Sequence, residues 1–392
     1  MKIIGSMKLT PFQLVALVLS NRILINFGFT PTALLPPANQ DAWIVDLLTG
    51  VYIAILYIPP LFLANKFRNI FITDYYRIIL GKWVGKILAV FISLYLLWWT
   101  FIFSTILLDF IKSSSLVMTP QSVLLVVLML CTIFAAFKGF NVITKAAEII
   151  IFYMLAIIIA FTLLGINKMD FSVFSPVLKD SNFLTINKSA LFYGAGRFSD
   201  GVFFLVAFAF LDKKYSVNKT FFSFLIPATL IYILITLSTQ SVLGIELTKH
   251  FNFPYFEFIK QINVFEIFQR IEYLNMTAWV AGFLFKLSAF TLIPALILKE
   301  VLGMKSEKPV VIGYALVVLI GLLISPYTYN VVYRNEIFTH VFYYISFFTF
   351  VVPFFVMLIY FMRRRKVDAE ITLLRERLFP PDGQVLPENT AS

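Results

Sequence analysis

Cysteine, histidine and acidic residues are all scarce in this 392-residue chain. The single cysteine, Cys131, lies in an apolar run, so no disulfide framework within the chain is possible. The two histidines, His250 and His340, fall at loop ends, and no paired-cysteine motif accompanies them, so no metal site is expected. A Gly-x-x-x-x-Gly-Lys-Ser/Thr phosphate loop is also absent, and with no soluble catalytic pattern in view neither an enzyme nor a bound cofactor is expected. Charge is sparse, at 14% of residues, and lopsided: 32 Lys and Arg against 21 Asp and Glu, a net +11. Such an excess can serve nucleic-acid binding. Here the cations sit in short loops between apolar runs, where they orient a membrane protein, and no nucleic-acid partner is expected.

What the chain has in abundance is apolar surface. It is 60% hydrophobic with 45 Phe, and its mean hydropathy is +0.88, far above soluble usage. Apolar runs long enough to span a bilayer sit near 11–35, 43–64, 84–111, 121–138, 142–166, 190–211, 220–244, 273–298, 309–325 and 340–362. The expected fold is therefore an all-α integral membrane domain of ten transmembrane helices over 1–362, followed by a basic, partly disordered cytoplasmic tail over 363–392. Lys66, Arg68, Arg77, Lys82 and Lys86, then Lys138 and Lys145, Lys213, Lys214 and Lys219, Lys299, Lys305 and Lys308, and Arg363 to Lys366 all fall on one side of that arrangement. The positive-inside rule makes this side cytoplasmic and puts both termini there. Met1 to Thr10 carries no apolar core of its own, so no cleaved signal peptide is expected.

Two spans read as interrupted. The sixth opens on Tyr193-Gly-Ala-Gly-Arg-Phe-Ser-Asp-Gly201, which brings three glycines, Arg197 and Asp200 to the membrane. Unpaired backbone at that depth is tolerated where it lines a cavity or binds something, so the stretch is a candidate binding site; an Arg197–Asp200 pair at a re-entrant mouth is the alternative. The first span holds Asn21, Arg22, Asn26 and Gly28 before Pro31, Pro36 and Pro37. At 1.5 Å per residue Arg22 lies about 18 Å along its helix, near the midplane. It either faces a protein-lined cavity or bonds to neighbouring carbonyls. The third span carries Tyr95, Trp98, Trp99 and Thr100 well below the interface, as cavity lining or as helix packing. Lys286 sits deep in the eighth span as a coupling or structural charge, paired with Asp200 or snorkelling.

Smaller signals concern shape. Asp41 in Asn39-Gln-Asp-Ala-Trp43 is suited to capping the second span, and Pro59-Pro60 should kink or end it. Residues 69–86 read as an amphipathic helix on the cytoplasmic surface, and Pro227 as an interruption of the seventh span. Phe253 to Ile262 reads as a short outer helix, either a lid or a static cap.

These segments resemble the spore germination permease-like family, the membrane B subunits of germinant receptors, itself similar to the amino-acid–polyamine–cation permeases. The resemblance rests on Leu9-Thr-Pro-Phe-Gln13, Asn39-Gln-Asp-Ala-Trp43, Leu80-Gly-Lys-Trp-Val-Gly85, Phe174-Ser-Pro-Val-Leu178 and Gln269-Arg-Ile-Glu272 followed by Trp279, in that order along the ten spans. It implies two inverted five-helix repeats with spans one and six interrupted, which agrees with the discontinuities read from the residues. It also implies a nutrient-sensing role, a larger A subunit and a C lipoprotein as partners, and residence in the inner membrane of the spore. Tyr95 matches a cavity-facing tyrosine of the family pattern. The expected ligand-binding set is Phe27, Gly28, Tyr95, Trp98, Gly194, Gly196, Arg197, Ser199 and Asp200, with Arg22 and Lys286 as nearby charges. The alternative function is a proton-coupled amino-acid permease.

Overall fold

The computed structural model of the chain describes residues 8–26, 38–179, 181–191, 201–262, 270–324 and 347–378. Helices dominate, and the described residues contain one isolated extended bridge, Leu9 with Leu211. In order the helices are α1 (Pro11–Asn26), α2 (Ala42–Leu56), α3 (Ile58–Lys66), α4 (Ile72–Leu80), α5 (Lys82–Ser114), α6 (Gln121–Phe137) and α7 (Phe140–Gly165). After these come α8 (Phe183–Ser189), α9 (Gly201–Ala207), α10 (Val217–His250), α11 (Pro254–Lys260), α12 (Glu272–Leu302), α13 (Lys308–Ile324), α14 (Val352–Met362) and α15 (Arg364–Leu378). By length and composition four of the described helices can cross a bilayer, or up to six when each of two bent pairs counts as one span. The chain is an integral membrane protein.

The first bent pair is α2 and α3, turned by 43° at Tyr57. Pro59 and Pro60 lie in the first turn of α3, where a missing amide donor costs nothing, so the bend falls just ahead of them. In the second, the segment from Phe347, a short π-helix leading into α14, meets α15 at 94°. The described C-terminal helix thus leaves the bundle axis right after Met362.

Residues 69–86 form no continuous surface helix. The chain breaks at Gly81, whose φ of 92° suits only glycine, and α4 folds back on α5. A Cβ on Gly85 would lie 2.7 Å from backbone atoms of Tyr76 and Arg77, so both glycines of Leu80-Gly-Lys-Trp-Val-Gly85 are explained by this hairpin. The face of α4 that suits a membrane surface, Ile72, Tyr75, Tyr76 and Ile79, is buried against the bundle instead. Pro227 also departs from expectation: α10 runs through it, and the non-helical residue of that helix is Gly244.

Helix α12 is the axis of the bundle. It is the most buried of the four long helices and packs on α1, α5, α6, α7 and α13. Pro294 removes one amide donor from it, which leaves the carbonyl of Phe290 without its normal intrahelical partner. The Thr100 hydroxyl of α5 donates to that carbonyl at 2.9 Å. Ser93 donates to the Pro294 carbonyl at 2.7 Å and lies 2.7 Å from the Tyr314 hydroxyl of α13. In lipid, where water cannot repair a broken ladder, such hydroxyls make a proline in a central helix tolerable.

The turn before α2 serves a different purpose from the expected cap. Asp41 occupies the N-cap position but makes no capping bond. Its buried carboxylate accepts from the Leu178 amide at 3.1 and 3.2 Å and from the Ser181 hydroxyl. Gln40 donates to the Pro176 carbonyl at 3.3 Å, and Gln240 of α10 donates to the Asn39 carbonyl at 3.1 Å. The Asn39–Asp41 turn is therefore a clamp on the Phe174–Leu178 loop.

Elsewhere Leu9 exchanges backbone bonds with the stretch after α9, its amide to Phe210 at 2.8 Å and its carbonyl from Asp212 at 3.1 Å. Asn69, in the loop before α4, donates to the carbonyls of Ala209 and Leu211 at 3.1 and 3.0 Å, and Arg68 donates to those of Asp212 and Tyr215. Nearby, Asp368 of α15 gathers Lys66 at 2.8 Å, the Tyr360 hydroxyl at 3.0 Å and Arg364 at 3.6 Å. Val367 and Ile371 bury the apolar side of the same helix.

Candidate functional site

The described part of the expected site is built where the last described turns of α1 pack on α12. Three side chains from distant elements donate to carbonyls of these turns. Trp279 of α12 donates its indole N–H to Leu24 at 3.0 Å. Lys286, two turns further along α12, donates to Asn21 at 2.9 Å, and the Tyr232 hydroxyl of α10 reaches the Arg22 carbonyl at 3.4 Å.

Lys286 is fully buried, and aromatic rings surround its ammonium. The Nζ lies 3.7 Å from the ring centre of Phe103 on α5, 5.7 Å from that of Phe290 and 5.9 Å from that of Phe283. Phe290 in turn stacks on Phe203 of α9 at 4.8 Å and 6°. Ring faces supply the negative potential that a desolvated cation requires. Arg22 is also fully buried, its guanidinium carbon 5.7 Å from the ring centre of Phe204. The two charges flagged in the sequence are thus brought to one place, the junction of α1, α5, α9 and α12.

Tyr95 and Trp99 extend the aromatic wall along α5. Tyr95 is buried, packs on Phe348 at 4.7 Å and meets Trp99 edge-on at 6.4 Å; Trp99 then stacks on Phe103 at 5.1 Å. Trp98, one residue away, is only half-buried, so Trp99 is the tryptophan that faces inward. Phe27, Gly28, Gly194, Gly196, Arg197, Ser199 and Asp200 lie outside the described residues. At the boundary of that stretch, a Cβ on Gly201 would fall 2.5 Å from the Tyr57 hydroxyl and 2.0 Å from Thr349, so only glycine fits there.

Helix α11 packs against this junction. Phe110 of α5 packs between Phe253 and Phe256, each 5.1 Å away, and Trp279 at 4.0 Å. A continuous aromatic contact therefore joins α11 to the indole that holds Leu24.

The sequence reading missed the rings around Lys286. Phe283 and Phe290 stand three before and four after it, spacings that share a helix face, so the pattern was visible. Phe103, on another helix, carried no such signal. Asp46 was also passed over: buried on α2, it accepts from Thr236 of α10 at 2.6 Å.

A family comparison decides what kind of protein carries this junction. Residues 8–331 match the model of the family described as spore germination protein. The chain belongs to that family. Among curated relatives from Bacillus subtilis (strain 168), spore germination protein KB is 26% identical over 279 residues, covering 68% of this chain and 73% of the relative. Spore germination protein A2 is 26% identical over 317 residues, covering 78% and 84%. The putative spore germination protein YfkT is 24% identical over 274 residues, covering 67% and 72%. The matched region takes in α1 through α13 and hence the whole described junction, including Arg22, Tyr95 and Lys286.

Proposed function

We propose that this chain is the nutrient-sensing membrane subunit of a spore germinant receptor. A small molecule such as an amino acid enters from outside and binds at mid-membrane between spans one, three, six and eight. The observation that carries this reading is the junction of α1 and α12: two fully buried cations and an aromatic wall meet at the last described turns of α1. Ionisable groups at such depth are costly and are retained for pathways and ligands. The architecture behind it is a ten-span fold of two inverted five-helix repeats, with spans one and six interrupted at the ligand. Four further apolar helices, Pro11–Leu24, Gln121–Phe137, Gly201–Phe210 and Lys308–Ile324, support that count beside the long helices and the bent pairs. Both termini face the cytoplasm, and the receptor, completed by an A subunit and a C lipoprotein, lies in the inner membrane of the spore.

Ligand binding acts by favouring one conformation of the complex, which requires contacts that differ between its states. Tyr95 on α5, Gly28 in span one and Gly194, Gly196, Arg197, Ser199 and Asp200 in span six are the ligand contacts in this proposal, with Phe27 and Trp98 at its edge. The test is the nutrient dose dependence of germination in spores carrying Tyr95→Ala. A rightward shift at normal protein level is expected; an unchanged dose dependence refutes the site.

A second reading, a proton-coupled amino-acid permease, draws on the Lys286 bond to Asn21, which places an ammonium between spans one and eight where a coupling cation could act. Vesicles containing this subunit alone decide it: accumulation of labelled amino acid down a proton gradient favours the permease, and its absence alongside ligand binding favours the sensor.

A further inference from the structure

We propose that the cleft between the α2–α3 bend and α14 holds an acyl chain of an anionic phospholipid, whose phosphate sits against the cations at the start of α15. The cleft shares no lining residue with the α1–α12 junction.

Its origin is the bend. Helix α14 packs on α3 and α4, and a helix that follows α3 cannot also follow α2 across the 43° turn at Tyr57. A wedge therefore opens beside the last turn of α2. Ile55, Leu56 and Pro59 line one wall and Phe350, Phe354 and Met357 the other; every lining side chain is apolar, and the volume is about 510 Å³. That is the size of a small-molecule cleft, but one without the polar groups that orient a polar solute. Hydrocarbon suits it.

Depth favours a lipid. Helix α14 has 11 residues, so at 1.5 Å per residue it is about 16 Å long, half of a hydrocarbon core of about 30 Å. The strongly charged α15 turns off at 94° just beyond Met362 and marks the edge of that core. The cleft, from Met357 back to Phe350, thus lies in the deeper part of a single leaflet, where the end of an acyl chain belongs. Between the cleft and the edge the wall continues as Phe62 of α3 and Phe361 of α14, ring centres 5.1 Å apart.

At that edge the charge is one-sided. Within 363–370 four cations stand against Asp368 and Glu370, and Lys66 joins them from the end of α3. The Lys66–Asp368 bond at 2.8 Å pins this cluster to the head of α3, one of the helices that line the cleft. Asp368 is already engaged by Lys66 and Arg364, while Arg365 and Lys366 are exposed beside it. Such a cluster attracts an anionic headgroup, whereas a zwitterionic one carries its own counter-charge. A partner's transmembrane helix could meet the same apolar walls but would bring no phosphate to the cations.

The test titrates the purified full-length chain in detergent with phosphatidylglycerol and with phosphatidylcholine of the same palmitoyl chains. Melting temperature and, by native mass spectrometry, lipid retained per chain are followed. Phosphatidylglycerol is expected to stay bound and to raise the melting temperature, with phosphatidylcholine weaker by about tenfold or more. Dihexanoyl-phosphatidylglycerol keeps the head but cannot reach the cleft, and should also bind about tenfold or more weakly. Each surface cation adds about fivefold toward anionic lipid, so Arg365→Gln with Lys366→Gln should weaken phosphatidylglycerol roughly 25-fold. Ile55→Trp with Ile58→Trp fills the cleft from two exposed positions and should expel the lipid with the cations still in place.

Equal retention of the two headgroups, or of the long and short chains, overturns the proposal. Phosphatidylglycerol binding that survives the filled cleft also overturns it, because surface charge alone would then explain the lipid. Lost self-association or partner capture in the filled variant, with lipid binding unchanged, gives the cleft to a protein helix instead. Should the filled variant unfold, the chain-length comparison on wild type still decides.

Discussion

The Thr100 hydroxyl is expected to be worth more than an ordinary hydrogen bond, because it serves a carbonyl that the helix itself cannot serve. Thr100→Val preserves shape and removes the donor to Phe290, now 2.9 Å away. The carbonyl then stays buried with neither the Pro294 amide nor a hydroxyl, and an unsatisfied group of this kind costs about 1–3 kcal/mol. Most of that cost depends on the proline. In a Pro294→Ala background the new amide can close the ladder to Phe290, so the same Thr100→Val change should cost no more than about 0.5 kcal/mol, the residual expected of uncoupled sites. The measurement is a double-mutant cycle by equilibrium unfolding in mixed micelles, giving a coupling of roughly 1–2 kcal/mol between positions 100 and 294. Equal costs in the two backgrounds would refute the argument that the hydroxyl compensates for the proline.

Two more outcomes follow from the end of the bundle that carries α4 and α15. Gly85→Ala forces a Cβ to 2.7 Å from backbone that cannot swing aside, and should destabilise the α4–α5 hairpin by about 1–3 kcal/mol, read in the same unfolding assay. The hydrogen bond from Lys66 holds the Asp368 carboxyl below its ordinary value. A depressed carboxylate stabilises above the unfolded value of about 3.9 and loses that contribution as pH falls through the folded value, so α15 should loosen below about pH 4. A spin label at Leu373 should report mobility rising there, with Asp368→Asn reproducing it at pH 7; a label equally immobile in both would refute the role of Asp368.

Much of the scaffold was legible because lipid imposes length. The run expected at 84–111 is Lys82–Ser114, 142–166 is Phe140–Gly165, and 309–325 is Lys308–Ile324. Arg22 and Lys286 stood out because charge at such depth is rare, and the structure brings both to one junction. Their partners were not legible: Lys286 meets a carbonyl 265 residues away, and no local pattern encodes that pairing. Trp98 was preferred over Trp99 for a related reason. A helix apolar on every side shows no inward face in its periodicity, so two adjacent tryptophans cannot be ranked until the neighbouring helices are in place. Asp41 misled because an acid before a helix reads as a cap. The competing donors, Leu178 and Ser181, lie about 140 residues on and are visible only once the chain is folded.

The bonds that join Leu9 and Asn69 to the stretch after α9 set how readily that end of the bundle parts. Two backbone bonds at Leu9 and two from the side-chain amide of Asn69, in the loop before α4, hold the start of α1 and that loop to the Ala209–Asp212 stretch. At about 0.5–1.5 kcal/mol each, parting them without compensation costs roughly 2–6 kcal/mol. At rest the parted form would then be present in roughly one molecule in thirty to one in several tens of thousands. This small polar weld is a place where the closure of one end of the bundle can be tuned, one hydrogen bond at a time, without touching the buried cations at the α1–α12 junction.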